Sequence, residues 1–260
     1  MFQYEFMQHA LIAIVLAGLI AGLVGYITLL RRLAFAAHGL GHISFTGATL
    51  ALLLQVSPIL GQFAATLLAG LMMGVLGENL QKRDMAVAMV LSLMLGLGML
   101  FLHYQTASAN AATSLLFGNV LGVSVMDLNA MAIAAGFIML VLFSILRPLV
   151  FASLTPALSE AKGVPNQGLG ILFLLLLALA VTLISQIVGA LLVFVLLVGP
   201  AAMSIQLVHR LWPGLLLSMA LSVAFSIAAL GLSFYSNWPV SVWLTILVFV
   251  GYSLVCLVKR

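Results

Sequence analysis

Long apolar stretches interrupted by isolated charges run along the whole chain. A membrane-spanning helix needs about 20 apolar residues. By that measure some of the uncharged stretches fit a single span, and others are long enough for two helices joined by a short turn. The uncharged stretches are residues 6–30, 33–77, 85–126, 128–146, 163–209 and 211–258, of which the first and fourth fit one span and the second, fifth and sixth fit two.

The remaining stretch, 85–126, changes character near its middle. Met85–His103 is continuously apolar, whereas Tyr104–Ser114 is small and polar, which predicts one helix followed by a loop outside the membrane. We therefore predict an all-α, polytopic membrane protein with eight to nine transmembrane helices in one domain over residues 1–260; in the eight-helix alternative one segment re-enters the membrane without crossing it. The nine predicted spans lie near residues 10–30, 36–55, 61–80, 85–103, 129–147, 168–186, 188–208, 212–232 and 239–258.

The composition supports this fold class and excludes several functions. Of the 260 residues, 65% are hydrophobic and 5% are charged, against about 25% charged in a soluble domain, so a water-soluble enzyme is excluded. The nine Lys and Arg residues are spread out, which argues against nucleic-acid binding. A single cysteine, Cys256, leaves no internal disulfide and no cysteine-rich metal cluster.

Groups for hydrolytic or phosphate chemistry are missing from the sequence. There is no GxxxxGK[ST] loop to bind nucleotide phosphates, no pair of carboxylates on one helix and no Ser-His-Asp set. We therefore predict no catalytic residues and no permanently bound cofactor. If transport is driven by ATP, the ATPase must be another chain.

The basic residues test the topology, because cytoplasmic loops of membrane proteins collect Lys and Arg. The nine-span arrangement puts every basic group on one face, and it puts Glu5 and Asp127 on the other. This predicts an outside N-terminus and a cytoplasmic C-terminus, and the N-terminal segment, with no Lys or Arg before its apolar run, is interpreted as a mature span. The basic groups are Arg31/Arg32, Lys82/Arg83, Arg147, Lys162, Arg210 and Lys259/Arg260.

Two glycine triplets, Gly18/Gly22/Gly25 and Gly70/Gly74/Gly77, are interpreted as packing features. Small residues about four apart let transmembrane helices approach closely. A ligand-binding role for either triplet is the less favoured alternative.

A pair of histidines, His38 and His42, is the first polar feature that packing does not explain. Four-residue spacing puts both imidazoles on the same face of a helix, one turn apart. Ionisable residues within membrane segments usually face a cavity or pathway, and neutral imidazole binds Zn, Cu, Fe or Ni. The alternative is that each ring bonds a neighbour such as Ser44 or Thr46 and only fixes helix packing.

The second such feature is the polar stretch of residues 151–165. Thr155 is a good N-cap, Pro156 suits the first helical position, and Gly163 followed by Pro165 is typical of a helix end. A short helix of about two turns is predicted between the fifth and sixth spans. Its start and stop signals favour a rigid element gripped by another protein over a plain connector.

Several motifs follow one another along nearly the whole chain. They are Arg31-Arg32-Leu33-Ala34-Phe35 with His42 and Gly47, then Asp84, Leu116-Phe117-Gly118-Asn119 with Asp127, Ala161-Lys162-Gly163-Val164, Gly189-Ala190-Leu191-Leu192 and Gly199-Pro200-Ala201-Ala202. In this order they are similar to the motifs of the permease subunits of bacterial ABC importers for zinc, manganese and iron, whose first motif has the form RRLAF-G-D-x-x-x-H-x-x-x-x-G.

The resemblance implies a multi-pass permease of the bacterial inner membrane that forms a dimer, expected to be a homodimer, within the lipid bilayer. It also implies cytoplasmic ABC ATPase subunits and an extracytoplasmic metal-binding protein as partners. A divalent metal ion would be the transported substrate. The ATPases would dock on the coupling residues Thr155, Pro156, Ala157, Leu158, Ser159, Glu160, Ala161, Lys162 and Gly163.

The family's Asp/His pair lines the translocation path, so the resemblance implies a metal role for His42 and for His38, which stands at the Asp position. Imidazole in place of carboxylate makes a site less suited to manganese and more suited to zinc. Zinc is therefore the expected ion, with manganese and iron as alternatives. The alternative functions are an ABC permease for a metal chelate, such as a siderophore or corrinoid, a proton-coupled metal transporter, and a structural membrane scaffold.

Overall fold

The computed structural model describes residues 5–77, 80–104, 118, 120–190 and 192–259, with the side chains of all of these except 80–83. These residues form ten α-helices and no strand, as the all-α prediction requires. A 3-10 turn, Val120–Gly122, comes before the fifth helix. The helices are α1 (Glu5–Leu30), α2 (Ala34–Leu53), α3 (Pro58–Leu76), α4 (Leu80–Tyr104), α5 (Val125–Leu154), α6 (Pro156–Ala161), α7 (Asn166–Val188), α8 (Val193–Leu207), α9 (Leu211–Ser236) and α10 (Val240–Val258).

Each of the nine predicted spans corresponds to one long helix, and α6 is the predicted short one. In the described part of the chain, seven helices are long and apolar enough to cross a membrane, which leaves out α2 and α8. The α2 helix has 20 residues but carries two histidines and several hydroxyls, and α8 has only 15 residues. The expected count of eight to nine is therefore close but slightly high by this measure. The predicted loop of Tyr104–Ser114 lies outside the described residues from 105 onward.

The α5 helix is longer than its predicted span of 129–147. It begins in a capping box, in which the Asp127 backbone N–H donates to the Ser124 hydroxyl at 3.2 Å and the Ser124 N–H donates to the Asp127 carboxylate at 3.1 Å. It then continues through Pro148 to Leu154, although a proline often ends or kinks a helix. Asp127 therefore has a structural role, because it stabilises the N-terminus of α5.

Two helices, α1 and α7, form the centre of the bundle. In each, 72% of the most apolar 18-residue window is buried, against 17% in the peripheral α10. The α1 helix packs against α5, α8 and α9, while α7 packs against α2, α3 and α5. The core is built mainly of Leu, Ile, Val and Ala side chains from these helices.

The glycines of the two triplets lie against neighbouring helices, as predicted, except for Gly77. A Cβ added at Gly22 would lie 2.5 Å from the Cα of Met219 on α9, and one at Gly18 would lie 3.1 Å from the Cα of Val223. At Gly74 an added Cβ would lie 2.9 Å from the Ile171 side chain on α7. Gly77 caps the C-terminus of α3. The helix backbones therefore touch where side chains would hold them apart.

The α2 and α3 helices also approach closely, at Gly47 and Gly61. A Cβ at Gly47 would overlap the Gly61 carbonyl oxygen, and a Cβ at Gly61 would overlap the Gly47 carbonyl oxygen. Because each glycine faces the other's backbone, neither position has room for a side chain.

Buried hydroxyls tie α2 and α3 to the central α7. The Ser44 and Ser185 hydroxyls are 3.1 Å apart, and those of Thr66 and Thr182 are 2.8 Å apart. All four residues are buried. Polar side chains in a membrane bundle act in this way as links between helices, and here they fix α2 against the core.

We expect Gly47→Ala to destabilise the protein in detergent by about 1–3 kcal/mol, the usual cost of overpacking. The added methyl group would overlap the Gly61 carbonyl oxygen and lie 2.6 Å from the Ala65 Cβ. The matched control is Gly96→Ala on α4, where an added Cβ has nothing within 4 Å. Thermal unfolding of the two variants checks the expectation. Equal melting temperatures would contradict the α2–α3 contact.

Candidate functional site

The two predicted metal ligands, His38 and His42, lie together on α2. Their Nε2 atoms are 3.2 Å apart, and the rings meet edge to face with centroids 4.7 Å apart. Both side chains are half-buried. At this separation one neutral ring can donate a hydrogen bond to the other. The hydroxyls named in the packing alternative bond other groups, Ser44 with Ser185 and Thr46 with the Met94 carbonyl.

The spacing of the nitrogens suits chelation of one ion. Zinc binds histidine nitrogen at about 2.0–2.1 Å with tetrahedral angles, which puts two bound nitrogens about 3.3–3.4 Å apart. The observed 3.2 Å is close to that value. The pair can therefore act as a bidentate ligand with little movement of the α2 backbone.

The described residues contain no group of three or more His, Cys, Asp or Glu side chains that could hold a metal ion. His38 and His42 thus provide two donors, and structural zinc sites use four. The other histidines are elsewhere: His9 is on α1, His103 is exposed at the end of α4, and His209 is exposed beyond α8.

The wall beside the pair is formed where α7 ends and α8 begins. Gly189 breaks the helix with a φ of 94°, a conformation that favours glycine. The Ala190 carbonyl oxygen then comes close to α2, since a Cβ at Gly41 would lie 2.9 Å from it. The glycine beside the histidines therefore lets the broken segment approach α2.

Phe194, near the start of α8, packs its ring against His38. The ring centroids are 5.1 Å apart with an interplanar angle of 75°, an edge-to-face arrangement that favours one ring orientation. Phe194 belongs to none of the motifs found in the sequence. The one sequence feature that could have pointed to it is its position five residues after Gly189, the first residue of a family motif.

The predicted coupling residues form an exposed corner. The segment consists of α6 with a residue or two on either side, and Gly163 ends it with a φ of 76°. Thr155 is at the N-cap but makes no capping bond; its hydroxyl donates to the Phe151 carbonyl at 3.2 Å. Of residues 155–163, all described, only Ser159 is buried.

The other residues of the family motifs lie at several separate places in the fold. Asp84 is exposed near the start of α4. Gly118 has a φ of 76° and contacts the Ile187 carbonyl and Gly189 at the helix break. Leu116, Phe117, Asn119 and Leu191 lie outside the described residues.

The fold matches solved transporter structures. PsaBC from Streptococcus pneumoniae in complex with Fab has a TM-score of 0.85 at 24% identity, over 97% of this chain and 91% of that chain. A metal-chelate type ABC transporter in an inward-facing conformation has a TM-score of 0.77 at 16% identity, over 96% and 85%. At these identities the likeness shows the fold alone.

Curated relatives and a family pattern extend the comparison to sequence. The manganese import system permease protein ScaB of Streptococcus parasanguinis is 31% identical over 90% of this chain and 84% of its own length. The manganese transport system membrane protein MntC of Halalkalibacterium halodurans is 29% identical over 87% and 78%. The pattern of the ABC 3 transport family matches residues 3–259. The chain therefore belongs to the ABC 3 transport family.

Proposed function

We propose that this chain is the membrane-spanning permease subunit of an ATP-driven importer of divalent metal ions. The observation that carries the proposal is the pair His38 and His42, with Nε2 atoms 3.2 Å apart on a half-buried face of α2. Family membership and the manganese relatives support it. The chain translocates the ion, and a separate cytoplasmic ABC ATPase hydrolyses ATP.

Two copies of the chain complete the site. One chain offers two imidazole nitrogens, and a second copy related by a two-fold axis would offer two more, which gives the four ligands of a tetrahedral site. The half-exposure of both rings leaves them accessible to a partner. The ion would then sit between the subunits, bound by both α2 helices.

The donor set favours zinc as the transported ion. Imidazole suits zinc, copper, iron and nickel, whereas carboxylate and carbonyl oxygens suit manganese. Manganese is the second candidate, because the relatives MntC and ScaB are named for it, and iron is the third. His38 is the residue at which the zinc and manganese proposals differ.

The other proposed partners contact the chain on opposite sides of the membrane. An extracytoplasmic binding protein would deliver the ion, and the ATPase would grip Thr155–Gly163 on the cytoplasmic side. The Lys162 Nζ atom lies 5.7 Å from the centre of the Phe151 ring. The coupling residues therefore include a positive charge, which is typical of cytoplasmic loops. This orientation puts the N-terminus outside and the C-terminus inside.

We expect vesicles that contain the chain, its ATPase and its binding protein to take up zinc only with ATP. The double variant His38→Ala/His42→Ala should lose at least about tenfold of that uptake, since losing only a residue that orients a metal ligand already costs about 10–100-fold in metal affinity or activity. Co-purification with the ATPase should persist. His103→Ala, at an exposed histidine of α4, is the control.

Full uptake by the double variant would contradict the role of the pair. Uptake that needs a proton gradient instead of ATP would favour the proton-coupled alternative. Uptake of a siderophore or corrinoid complex, without uptake of the free ion, would favour the metal-chelate alternative.

His38→Asp should shift the preference of the importer from zinc toward manganese. A carboxylate oxygen replaces an imidazole nitrogen, and oxygen donors suit manganese. We expect the ratio of zinc to manganese uptake to fall by about tenfold, the lower end of effects on metal sites. Competition between the two ions in the same vesicles measures this ratio. An unchanged ratio would mean that His38 does not set selectivity.

Leu158→Asp should weaken binding of the ATPase. Leu158 is a 51% exposed apolar side chain on α6, and burying a charge in an apolar contact is costly. Met126→Asp is the control, because Met126 is 83% exposed at the opposite end of α5. Co-purification should fall for Leu158→Asp alone. Equal binding by both variants would place the docking surface elsewhere.

A further inference from the structure

Arg31 is held in a tight turn between α1 and α2. The Arg31 N–H donates to the Ile27 carbonyl at 2.9 Å and the Leu33 N–H donates to the Thr28 carbonyl at 2.8 Å. Arg32 takes the left-handed conformation with a φ of 56°. The Leu33 carbonyl accepts from the Ala37 N–H at 3.0 Å, which joins this turn to the first turn of α2. His38 comes four residues after Ala34, the first residue of α2, about 6 Å along the helix axis.

The Arg31 guanidinium reaches both helices that flank the coupling residues. Its Nη1 donates to the Ser153 hydroxyl at 3.2 Å, near the C-terminal end of α5. Its Cζ lies 5.7 Å from the centre of the Phe173 ring on α7. Gly170 leaves space beside it, since an added Cβ would lie 3.4 Å from Nη2. One planar cation can make a hydrogen bond at its edge and stack with its face.

The coupling segment itself is fixed to α7. The Ser159 hydroxyl is 2.8 Å from both the Asn166 side-chain oxygen and the Pro156 carbonyl. The Asn166 amide nitrogen donates to the same Pro156 carbonyl at 3.1 Å. A displacement of α6 therefore carries the start of α7 with it, and the end of α5 follows through the chain.

The α2 helix and the turn before it are thus joined to α7 at two levels. The Ser44–Ser185 contact lies near the C-terminal end of α7, and the Arg31–Phe173 contact lies near its N-terminal end. The first sets the position of α2 against the core. The second connects the N-terminal end of α2 to the start of α7, next to the coupling residues.

We infer that Arg31 is a positioning residue that transmits movement of the coupling segment to α2 and so to the His38–His42 pair. This inference rests on the proposed function, in which ATP-driven movement of the segment opens and closes the metal site. Arg31 touches neither ATP nor the ion. Loss of the Arg31 side chain should therefore lower metal transport while ATP hydrolysis continues.

The test compares the number of metal ions transported per ATP hydrolysed in reconstituted vesicles with ATPase and binding protein. For Arg31→Ala we expect this ratio to fall by about tenfold, because the variant loses both the hydrogen bond to Ser153 and the contact with the Phe173 ring, which together contribute about that factor to an equilibrium constant. ATP hydrolysis should stay near the wild-type rate. Arg31→Lys should recover little, since lysine keeps the charge without the planar fork.

Two further variants test whether the fall in the ratio comes from the Arg31–Ser153 hydrogen bond or from loss of positive charge. Arg32→Gln removes the neighbouring, exposed charge and should leave the ratio unchanged. Ser153→Ala removes only the hydroxyl acceptor and should lower the ratio by about threefold, within the range of one hydrogen bond. It keeps the inference testable if Arg31→Ala assembles poorly.

A wild-type ratio in both Arg31→Ala and Ser153→Ala would overturn the inference. So would equal losses in Arg31→Ala and Arg32→Gln, which would point to charge at the membrane surface. Hydrolysis and transport that fall together in Ser153→Ala would mean a purely structural role. A wild-type complex that transports no metal with ATP would instead refute the proposed function.

Discussion

A polar helix inside a membrane protein has to be enclosed, and this requirement on α2 organises the rest of the bundle. Polar groups facing hydrocarbon without partners are costly, and α2 carries two histidines along with Ser44, Thr46 and Thr49. The structure encloses it with α3, α4, α7 and α8. Close approach at Gly47 and the Ser44–Ser185 contact make that enclosure tight. The apolar helices α5 and α10 can then remain at the periphery.

Enclosure on one side leaves the histidine face of α2 partly open. His38 and His42 are half-buried, and the ring of Phe194, near the start of α8, packs against His38. A helix that begins after a break near a polar site is a common arrangement in transporters, where it lines a cavity. The break at Gly189 therefore belongs with the histidine pair, since both border the same face.

Much of this could be predicted from the sequence, and the failures have a common cause. Uncharged stretches located all nine long helices, and four-residue spacing brought His38 and His42 together, because both are local properties of a helix. The contacts of Phe194 and Arg31 join residues far apart in the chain, which a single sequence does not encode in its periodicity. Asp127 belongs to a family motif in the sequence, and in the structure it is also half of a capping box.

The incompleteness of the histidine pair is itself suited to transport. A translocation site has to bind its ion and also release it, which a full set of four ligands on one rigid chain would oppose. Two imidazoles with nitrogens 3.2 Å apart form half of a tetrahedral set. In the proposed dimer, a change in the distance between two α2 helices would change the number of ligands from four to two. The affinity for the ion would then differ between the two states, which is the condition under which a conformational cycle can be coupled to binding.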